Sequence, residues 1–404
     1  MNSSDSAVLL SPARERALLY TLMALQFTVI VDFMIMMPLS AQLMDAFAIQ
    51  PAGFGLLVSS YSIAAGVSAL LASAFADRFD RRHSLLLCYL GLTVATLACG
   101  LAESFQWLLI ARLLAGFFGG VMSAVALAIV GDVIPPQRRG HAMGIVMLAF
   151  SLAAIAGVPL GLFIANHYHW QTPFLFLVVL CSLVFVLSWF VVPPVRSHLQ
   201  QTQVAMWQSY KELLSVPNHW WGFITSSLVL FGGFMVIPYI APALVANTEL
   251  GNGDLPYIYL VGGAVTLFTR PYIARLTDTY RHAHVFTGLV LLSFIPIILV
   301  THTLQVGLLW HLVMAALFFI FVSGRFIPCS AMVTASCEPR FRGRVMAFNS
   351  AMQNLGSGLA AFVAGLILVK GDAGEILHYD WVGYGACAVG LLTIWTAAKI
   401  KAIS

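Results

Sequence analysis

The chain has 404 residues, of which 60% are hydrophobic and only 9% are Asp, Glu, Lys or Arg. Soluble proteins carry roughly 25% charged residues, so this composition excludes a soluble globular fold. The net charge of +4 comes without a basic cluster of the kind that binds nucleic acid, and that class of partner is therefore excluded as well.

Apolar segments of about 20 residues recur along the chain, and this is the length that a helix needs to cross the hydrocarbon core of a bilayer. We predict an all-α polytopic membrane protein with twelve spans, because each backbone in lipid must satisfy its own hydrogen bonds. The predicted spans of the first half are 17–41, 52–76, 84–102, 107–131, 141–165 and 173–193. Those of the second half are 219–245, 255–277, 284–303, 306–334, 343–369 and 380–398.

The first 16 residues contain no short apolar core followed by a small-residue cleavage site, so we expect the first span to remain as an anchor. That span includes FTVIVDFMIMMP (27–38), which contains a single carboxylate, Asp32. Thr28, Asp32 and Met36 are spaced to share one helical face. We interpret this face as part of a cavity for apolar or amphipathic compounds; core packing or lipid contact is the alternative for Met36 and its methionine neighbours.

Charged residues crowd the loops after the second and fourth spans. They form either latches that hold an inner gate closed or solvated charges that only fix the orientation of the chain. The predicted pairs are Asp77 with Arg81, and Asp132 with Arg138 or Arg139; Arg78 lies in the first of these loops.

Arg112 lies in the fourth span, about 8 Å from its outer end, and Asp32 lies about 13 Å from the outer end of the first span. The two side chains therefore share a layer of the membrane, where pairing reduces the free-energy cost of burying each charge. Burial disfavours a charged carboxylate and a neighbouring guanidinium favours it, so such an Asp can load and release a proton while the Arg stays charged. We interpret Asp32 as a proton carrier and Arg112 as its fixed partner; a permanent ion pair that only orients two helices is the alternative.

The longest polar interruption, 193–217, divides the chain into two halves that repeat each other. PQRRGHAM (136–143) and PRFRGRVM (339–346) share the pattern P-x-x-R-G-x-x-M, 203 residues apart, and Asp77 and Asp278 correspond at an offset of 201. Two parallel six-helix repeats are typical of transporters that bind substrate between their halves. The predicted domains are a segment 1–16, a bundle 17–193, a linker 194–218, a bundle 219–399 and a tail 400–404.

Polar side chains also occur inside spans of the second half. For Arg325 in the tenth span, contact with a substrate or gate and structural pairing are both open. Asn349 and Gln353 are four residues apart on one face of the eleventh span, and they either bond a substrate or bond a neighbouring helix. Arg270 is close enough to the end of its span for its charge to reach the interface.

The distribution of Lys and Arg predicts the orientation. With the N-terminus inside, 16 of the 20 lie at inner ends, which places both termini in the cytoplasm. The six cysteines are isolated in apolar segments, and the histidines form no metal-ligand pattern. We therefore expect no metal and no cofactor, and the absence of a phosphate-binding loop excludes ATP as the driving force.

Three segments resemble signatures of the major facilitator superfamily: SAFADRFDRR, ARLLAGFFGG and AGVPLGLF. The chain is similar to this superfamily over its whole length, and within it to the twelve-helix branch that exports drugs and sugars in exchange for protons. The resemblance favours gating roles for the loop charges, including Asp278. The matching positions are Asp77, Arg78, Arg81 and Arg82 in the first segment, Arg112 and Gly116 in the second, and Gly157, Pro159 and Gly161 in the third.

The resemblance implies a monomeric secondary transporter of a bacterial cytoplasmic membrane. It would exchange protons for small organic molecules that are drug-like, amphipathic or sugar-like. Proton-coupled uptake and facilitated diffusion are alternatives. A polytopic membrane enzyme is a further one, but the chain lacks a nucleophile, a base and a metal cluster at one depth, so we expect no enzymatic activity.

Overall fold

The computed structural model describes residues 11–75, 79–135, 137–195, 211–338 and 342–402, which are almost entirely helical. We call α1–α8 the first series of helices and α9–α16 the second series. The first series comprises α1 Pro12–Met34, α2 Ser40–Ala46, α3 Pro51–Phe75, α4 Arg81–Gly100, α5 Phe105–Val133, α6 Arg139–Leu152, α7 Val158–His167 and α8 Thr172–Val191. The second comprises α9 Pro217–Val236, α10 Ile240–Asn247, α11 Leu255–Thr279, α12 His282–Thr301, α13 Leu308–Gly324, α14 Phe326–Ala335, α15 Arg342–Ile367 and α16 Tyr379–Ala397.

Ten helical segments of the described residues are long and apolar enough to cross a membrane. They coincide with ten of the predicted spans, which confirms an all-α integral membrane protein. The predicted eighth and twelfth spans correspond to α11 and α16, which are also long but more polar. In α11 the charges of Arg270, Arg275 and Asp278 lower the mean hydropathy.

Polar caps fix where several of these helices begin. The Ser11 side chain accepts a hydrogen bond from the main-chain N–H of Arg14, and Pro12 occupies the first helical position. Asp80 caps α4 in the same way at 2.9 Å from the nitrogen of Arg82. These caps satisfy N–H groups that have no partner inside a helix.

Prolines divide two of the predicted spans at corresponding places. The first span breaks at residues 35–39, around Pro38, and the seventh breaks at the short 3₁₀ turn Ile237–Tyr239, which contains Pro238. A proline has no N–H to donate and its ring collides with the preceding turn, so each helix ends and a short one, α2 or α10, follows. These two short helices pack against each other.

The fifth and tenth predicted spans are also interrupted. A wide π turn, Ala153–Gly157, lies between α6 and α7 just ahead of Pro159. In the tenth span Arg325 lies between α13 and α14, three residues before Pro328. Such local departures from α geometry occur frequently at functional sites of membrane and soluble helices.

Glycines allow α3 to pack closely between α5 of the first series and α15 of the second. A Cβ at Gly116 of α5 would collide with the main-chain oxygen of Tyr61, and one at Gly66 would lie 3.0 Å from the oxygen of Ala351. Small residues of this kind let helix backbones approach each other in a membrane. The result is that Tyr61 lies directly against the helix that carries Arg112.

A small hairpin joins α15 to α16. Val369–Lys370 pairs antiparallel with Ile376–Leu377, and the Asn247 side chain holds the second strand through bonds of 2.7 and 2.8 Å to the main chain of Ile376. We call the end of the molecule that carries Arg81, Arg138 and Arg281 the basic end. The hairpin lies at the other end, together with α2 and α10, and we call that end the opposite end.

Candidate functional site

Asp32 and Arg112 form an ion pair in the interior of the first series. Arg112 Nη1 donates to Asp32 Oδ2 at 3.0 Å and to the main-chain oxygen of Asp32 at 3.1 Å. Both side chains are completely buried. The structure thus brings together the two charges that the residue count placed in one layer, and it does so by packing α1 against α5.

Neutral groups complete the surroundings of this pair. Thr96 Oγ1 on α4 donates to Asp32 Oδ1 at 3.0 Å, so both carboxylate oxygens accept a hydrogen bond. The guanidinium carbon of Arg112 lies 4.3 Å from the centre of the Tyr61 ring. Within the described residues, Arg112 Nε and Nη2 have no hydrogen-bond partner. Protonation of Asp32 would therefore remove the counter-charge of Arg112, which would keep its hydrogen bond to the Asp32 main-chain oxygen and its contact with the face of Tyr61.

The segment ARLLAGFFGG explains why Tyr61 can occupy this place. Gly116 is one helical turn beyond Arg112 and has no side chain that would meet the backbone of Tyr61. A Cβ at Gly119 would lie 2.7 Å from the Tyr61 hydroxyl oxygen. The glycines therefore set the distance between the tyrosine and the charge pair.

Two further rings continue from Tyr61 towards the second series. Phe33 stacks on Tyr61 with ring centres 5.1 Å apart, and Phe234 of α9 stacks on Phe33 at 5.8 Å. We call Tyr61, Phe33 and Phe234 the aromatic ladder. Its three rings come from α3, α1 and α9, so it joins both series beside the charge pair.

Thr28 and Met36 differ from their predicted place in a cavity. Thr28 is buried, with its hydroxyl 2.9 Å from that of Tyr89 on α4. Met36 is buried in the turn that follows α1, because the helix ends at Met34 before Pro38. Thr28 and Asp32 share the helix α1, whereas Met36 lies beyond its end. The side chains of Thr28 and Met36 are both buried in the core.

Arg325 is buried in the second series without a carboxylate partner among the described residues. Its Nη2 donates to the main-chain oxygen of Val229 on α9 at 3.1 Å, and its Nη1 lies 3.5 Å from Ser293 Oγ on α12. A Cβ at Gly232 would lie 3.4 Å from Nη2, so the glycine makes room for the guanidinium. The structural interactions of Arg325 are thus with neutral groups.

Asn349 and Gln353 both lie on α15. Asn349 is buried, and within the described part of the chain its Oδ1 accepts no hydrogen bond. Gln353 is half-buried. An amide oxygen without a donor is costly in a buried position, so Asn349 has an acceptor available for a ligand or for another conformation.

The loop charges pair differently from the prediction. Asp77 and Arg78 lie outside the described residues. Asp132 pairs with Arg81, with Arg81 Nε 2.9 Å from Oδ2, and not with Arg138 or Arg139. Arg138 instead contacts Glu15 at 3.0 Å, and Arg139 Nε donates to the main-chain oxygen of Ile134 at 2.9 Å.

An open cleft of about 590 Å³ lies at the basic end of the second series. It contains both charged groups and hydroxyls beside an apolar wall. Asp278 is one of the charged residues that line this cleft. The lining includes Asp278, His282, Phe326, Ser330, Thr334 and Arg342.

The two series are in direct contact at the opposite end. Lys370 Nζ lies 2.8 Å from Asp45 Oδ1, and Asn166 Nδ2 donates to the main-chain oxygen of Asn252 at 2.7 Å. Deeper in the molecule, the Tyr239 hydroxyl of the second series lies 3.3 Å from the main-chain oxygen of Pro51 at the start of α3. The structure is therefore joined at the opposite end and has an open cleft at the basic end.

The segment AGVPLGLF brings α7 and the π turn against α1. A Cβ at Gly157 would collide with Val31, next to Asp32, and a Cβ at Gly161 would collide with Ile35. Pro159 follows the π turn, which accommodates the missing N–H. These three residues thus fix the backbone beside the charge pair.

Sequence reasoning missed Tyr61, Thr96, Phe33 and Phe234. All are neutral, and in an apolar chain a single Thr or aromatic residue carries no signal comparable to a buried charge. The glycines of α5 could have indicated a close helix contact, but not which residue it would hold.

The sequence pattern described as Major Facilitator Superfamily matches residues 22–324 and 266–400. The chain is 26% identical over 361 residues to the protein named "Uncharacterized MFS-type transporter YtbD" of Bacillus subtilis (strain 168), covering 86% of this chain and 87% of that one. It is 24% identical over 211 residues to the "Probable sugar efflux transporter" of Helicobacter pylori (strain G27), covering 52% and 53%. The crystal structure of a D-xylose-proton symporter aligns with a TM-score of 0.77 at 15% identity, covering 96% and 97%.

Proposed function

Because the chain belongs to the Major Facilitator Superfamily, we propose that this secondary transporter is a proton-coupled antiporter that exports small organic molecules. Its substrates are drug-like, amphipathic or sugar-like compounds. The relative in Helicobacter pylori whose printed name refers to sugar efflux supports export. Transport proceeds by alternating access, in which one central site opens first to one side of the membrane and then to the other.

The proposed architecture has twelve spans, with α11 and α16 crossing the membrane beside the ten apolar segments. Two six-helix bundles, 17–193 and 219–399, are joined by the linker 194–218. The basic end and both termini face the cytoplasm, which is supported by the arginines at that end. The protein acts as a monomer in a bacterial cytoplasmic membrane.

The buried pair of Asp32 and Arg112 is the observation that carries proton coupling. A carboxylate at this depth costs at least about 2.5 kcal/mol on insertion scales, and intramembrane acids are functional by default. Asp32 is completely buried and its partners come from two other helices, α4 and α5. A change in its charge therefore alters contacts between helices as well as the local field.

The exchange cycle follows from this arrangement. With the site open to the outside, Asp32 takes up a proton, its attraction to Arg112 is lost, and the two series rock towards the state open at the basic end. There the proton leaves to the cytoplasm, Arg112 pairs again with Asp32, and the substrate binds. The buried ion pair of the described structure supports this step, in which Asp32 is charged.

The test is transport by purified protein in liposomes, with a panel of dyes, sugars and siderophore-like compounds. Substrate-dependent dissipation of a pH gradient is followed for the wild type and for Asp32→Asn. We expect the variant to lose gradient-driven exchange but to keep substrate counterflow, which needs no net proton movement. Glu103→Gln is the control, because Glu103 is an exposed carboxylate in the loop between α4 and α5 and the variant should leave coupling unchanged.

An Asp32→Asn protein that dissipates the gradient as the wild type does would overturn the assignment of the proton site. The sign of the gradient that drives accumulation separates export from uptake. If substrate accumulates with the proton gradient and not against it, the protein is a symporter. If it equilibrates without any gradient, the protein is a facilitative transporter.

A further inference from the structure

We propose that the aromatic ladder transmits the state of the Asp32–Arg112 pair to the second series of helices. Tyr61, Phe33 and Phe234 would then be positioning residues for transport, acting through the charge pair and without exchanging a proton themselves. The inference rests on the proposed proton exchange at Asp32 and adds the element that connects this exchange to the movement of the two series.

The ladder begins at the guanidinium of Arg112. The Arg112 carbon lies 4.3 Å from the centre of the Tyr61 ring, and both side chains are buried. A cation is attracted to the face of an aromatic ring, and more so where water is excluded. The Tyr61 hydroxyl has no hydrogen-bond partner within the described residues, so the ring is positioned by packing and by Arg112. When Arg112 moves, no hydrogen bond holds Tyr61 back.

Phe33, the second ring of the aromatic ladder, would respond to a change at the Asp32–Arg112 pair in two ways. Phe33 follows Asp32 directly in α1, so a shift of the Asp32 backbone moves it. It also stacks on Tyr61 with the two planes inclined at 28°. Parallel, offset rings at this distance attract each other in a defined geometry, so the position of one ring constrains the next.

The third ring belongs to the second series. Phe234 of α9 stacks on Phe33 with an interplanar angle of 23°. Both phenylalanines are half-buried, in contrast to Tyr61, which is fully buried. A contact between two series that rock against each other must slide or separate during transport, whereas the contact of Arg112 with Tyr61 stays within one series.

Phe234 also lies three residues before the break at Ile237–Tyr239. Tyr239 in this break donates to the Ala361 oxygen at 2.7 Å and lies 3.3 Å from the oxygen of Pro51, which ties the break to α15 and α3. The helix after the break, α10, packs on α2 at the opposite end. Displacement of Phe234 therefore acts on the segment that holds this end closed.

The test is a double-mutant cycle on the closure of the opposite end. Spin labels are attached at Tyr168→Cys and Glu249→Cys, two exposed positions of different series, after replacement of the six native cysteines. The ratio of closed to open molecules is then read from the distance distribution. We expect Asp32→Asn to change this ratio by about fivefold, the lower end of common allosteric couplings. In a Phe234→Leu background the change should fall to less than about twofold.

Phe33→Leu interrupts the ladder at a different ring and should reduce the effect of Asp32→Asn on the closed-to-open ratio as Phe234→Leu does. The test then does not depend on the folding of a single variant. Phe117→Leu is the matched control, because Phe117 contacts Phe118 edge-on and lies 42% exposed on α5, away from the ladder. In this control the effect of Asp32→Asn should remain full. Thermal unfolding of each variant verifies that it is folded.

Equal effects of Asp32→Asn with and without the ladder would overturn the proposal. No effect of Asp32→Asn in the intact ladder would overturn it too, since nothing would then be transmitted. The liposome assay separates this from failure of the proposed function. If Asp32→Asn loses proton exchange but its effect on closure is the same with and without Phe234→Leu, the ladder proposal is refuted and the proposed function stands. If Asp32→Asn keeps proton exchange but its effect on closure depends on Phe234, only the assignment of Asp32 as the proton carrier is refuted.

Discussion

Arg112 and Arg325 lie in the fourth and tenth predicted spans, which correspond in the two halves, but only Arg112 has a carboxylate partner among the described residues. Arg112 contacts α1 through Asp32 and neighbours Cys99 on α4. Arg325 contacts the first and third long helices of its own series, α9 and α12. The first series thus contains a charge that a proton can change, and the second contains a guanidinium among neutral groups.

This difference gives the two halves of the molecule different roles. A carboxyl group next to an arginine can alternate between two charge states, whereas arginine keeps its proton throughout the physiological range. We therefore expect proton-dependent movement to begin in the first series. We expect the second series to respond, and Arg325 to hold α9 and α12 together through its bonds to Val229 and Ser293.

Arg112→Met should destabilise the protein strongly. It leaves Asp32 buried without its counter-charge, and removal of one partner of a buried ion pair costs about 3–5 kcal/mol. The double variant Asp32→Asn with Arg112→Met should recover most of this loss, because it removes both charges. Unfolding of the purified proteins in detergent measures the difference.

The matched control for this prediction is Arg138→Met. Arg138 pairs with Glu15 at 3.0 Å, but its side chain is 55% exposed. An exposed pair contributes less than about 1 kcal/mol, so the control should be close to the wild type. A double variant as unstable as Arg112→Met would show that the loss comes from packing and not from the unpaired carboxylate.

Arg325→Met should change the stability by no more than about 1 kcal/mol, in contrast to Arg112→Met. The variant loses two hydrogen bonds from a charged guanidinium, each contributing about 1.5–3 kcal/mol. It also removes the free-energy cost of keeping a guanidinium in an apolar interior. The same unfolding assay applies, and a loss as large as that of Arg112→Met would reveal a counter-charge that pairs with Arg325.

Gly116→Ala should destabilise the protein by about 1–3 kcal/mol, the usual cost of forcing an extra group into a packed contact. The new methyl group would push the Tyr61 backbone away from α5. Because Tyr61 covers Arg112, the variant should also lose part of its proton-dependent exchange. Both stability and transport in liposomes are measured.

Gly131→Ala is the control on the same helix. Nothing lies within 4 Å of the place where its Cβ would be. Alanine has a higher helix propensity than glycine, by up to about 1 kcal/mol, so this variant should be neutral or stabilised. Equal losses at Gly116 and Gly131 would contradict the close contact with Tyr61.

The charge pair could be predicted from the sequence because charges are rare in apolar spans. Residue counting then gave Asp32 and Arg112 similar depths. The partners Thr96 and Tyr61 could not be found in this way, since they are neutral and lie on separate helices. Their meeting depends on how closely α3, α4 and α5 pack, which is a tertiary property.

The break in the first span illustrates a different limit. Hydropathy extends without interruption through Pro38, so the sequence predicts a helix to residue 41 and places Met36 on the face of Asp32. The proline was the available signal, and it outweighs apolar composition because it removes a donor. The loop charges illustrate another limit: sequence proximity favours Arg138 and Arg139 for Asp132, whereas the structure pairs Asp132 with Arg81 at the start of α4. The predicted pair of Asp77 with Arg81 includes a residue outside the described ones.

Lys370→Glu should open the opposite end. Lys370 of the hairpin contacts Asp45 of α2 at 2.8 Å, and their side chains are 30% and 72% exposed. Such a pair contributes less than about 1 kcal/mol, which limits its effect on the ratio of closed to open molecules to about fivefold. The variant replaces this attraction with repulsion between two carboxylates, so the closed fraction should fall, and more so at low salt. Spin labels at Tyr168→Cys and Glu249→Cys report the ratio.

The control exchanges the two charges, with Asp45→Lys and Lys370→Glu together, and should restore the closed fraction. A double variant as open as Lys370→Glu alone would show that the contact between these residues does not hold this end closed.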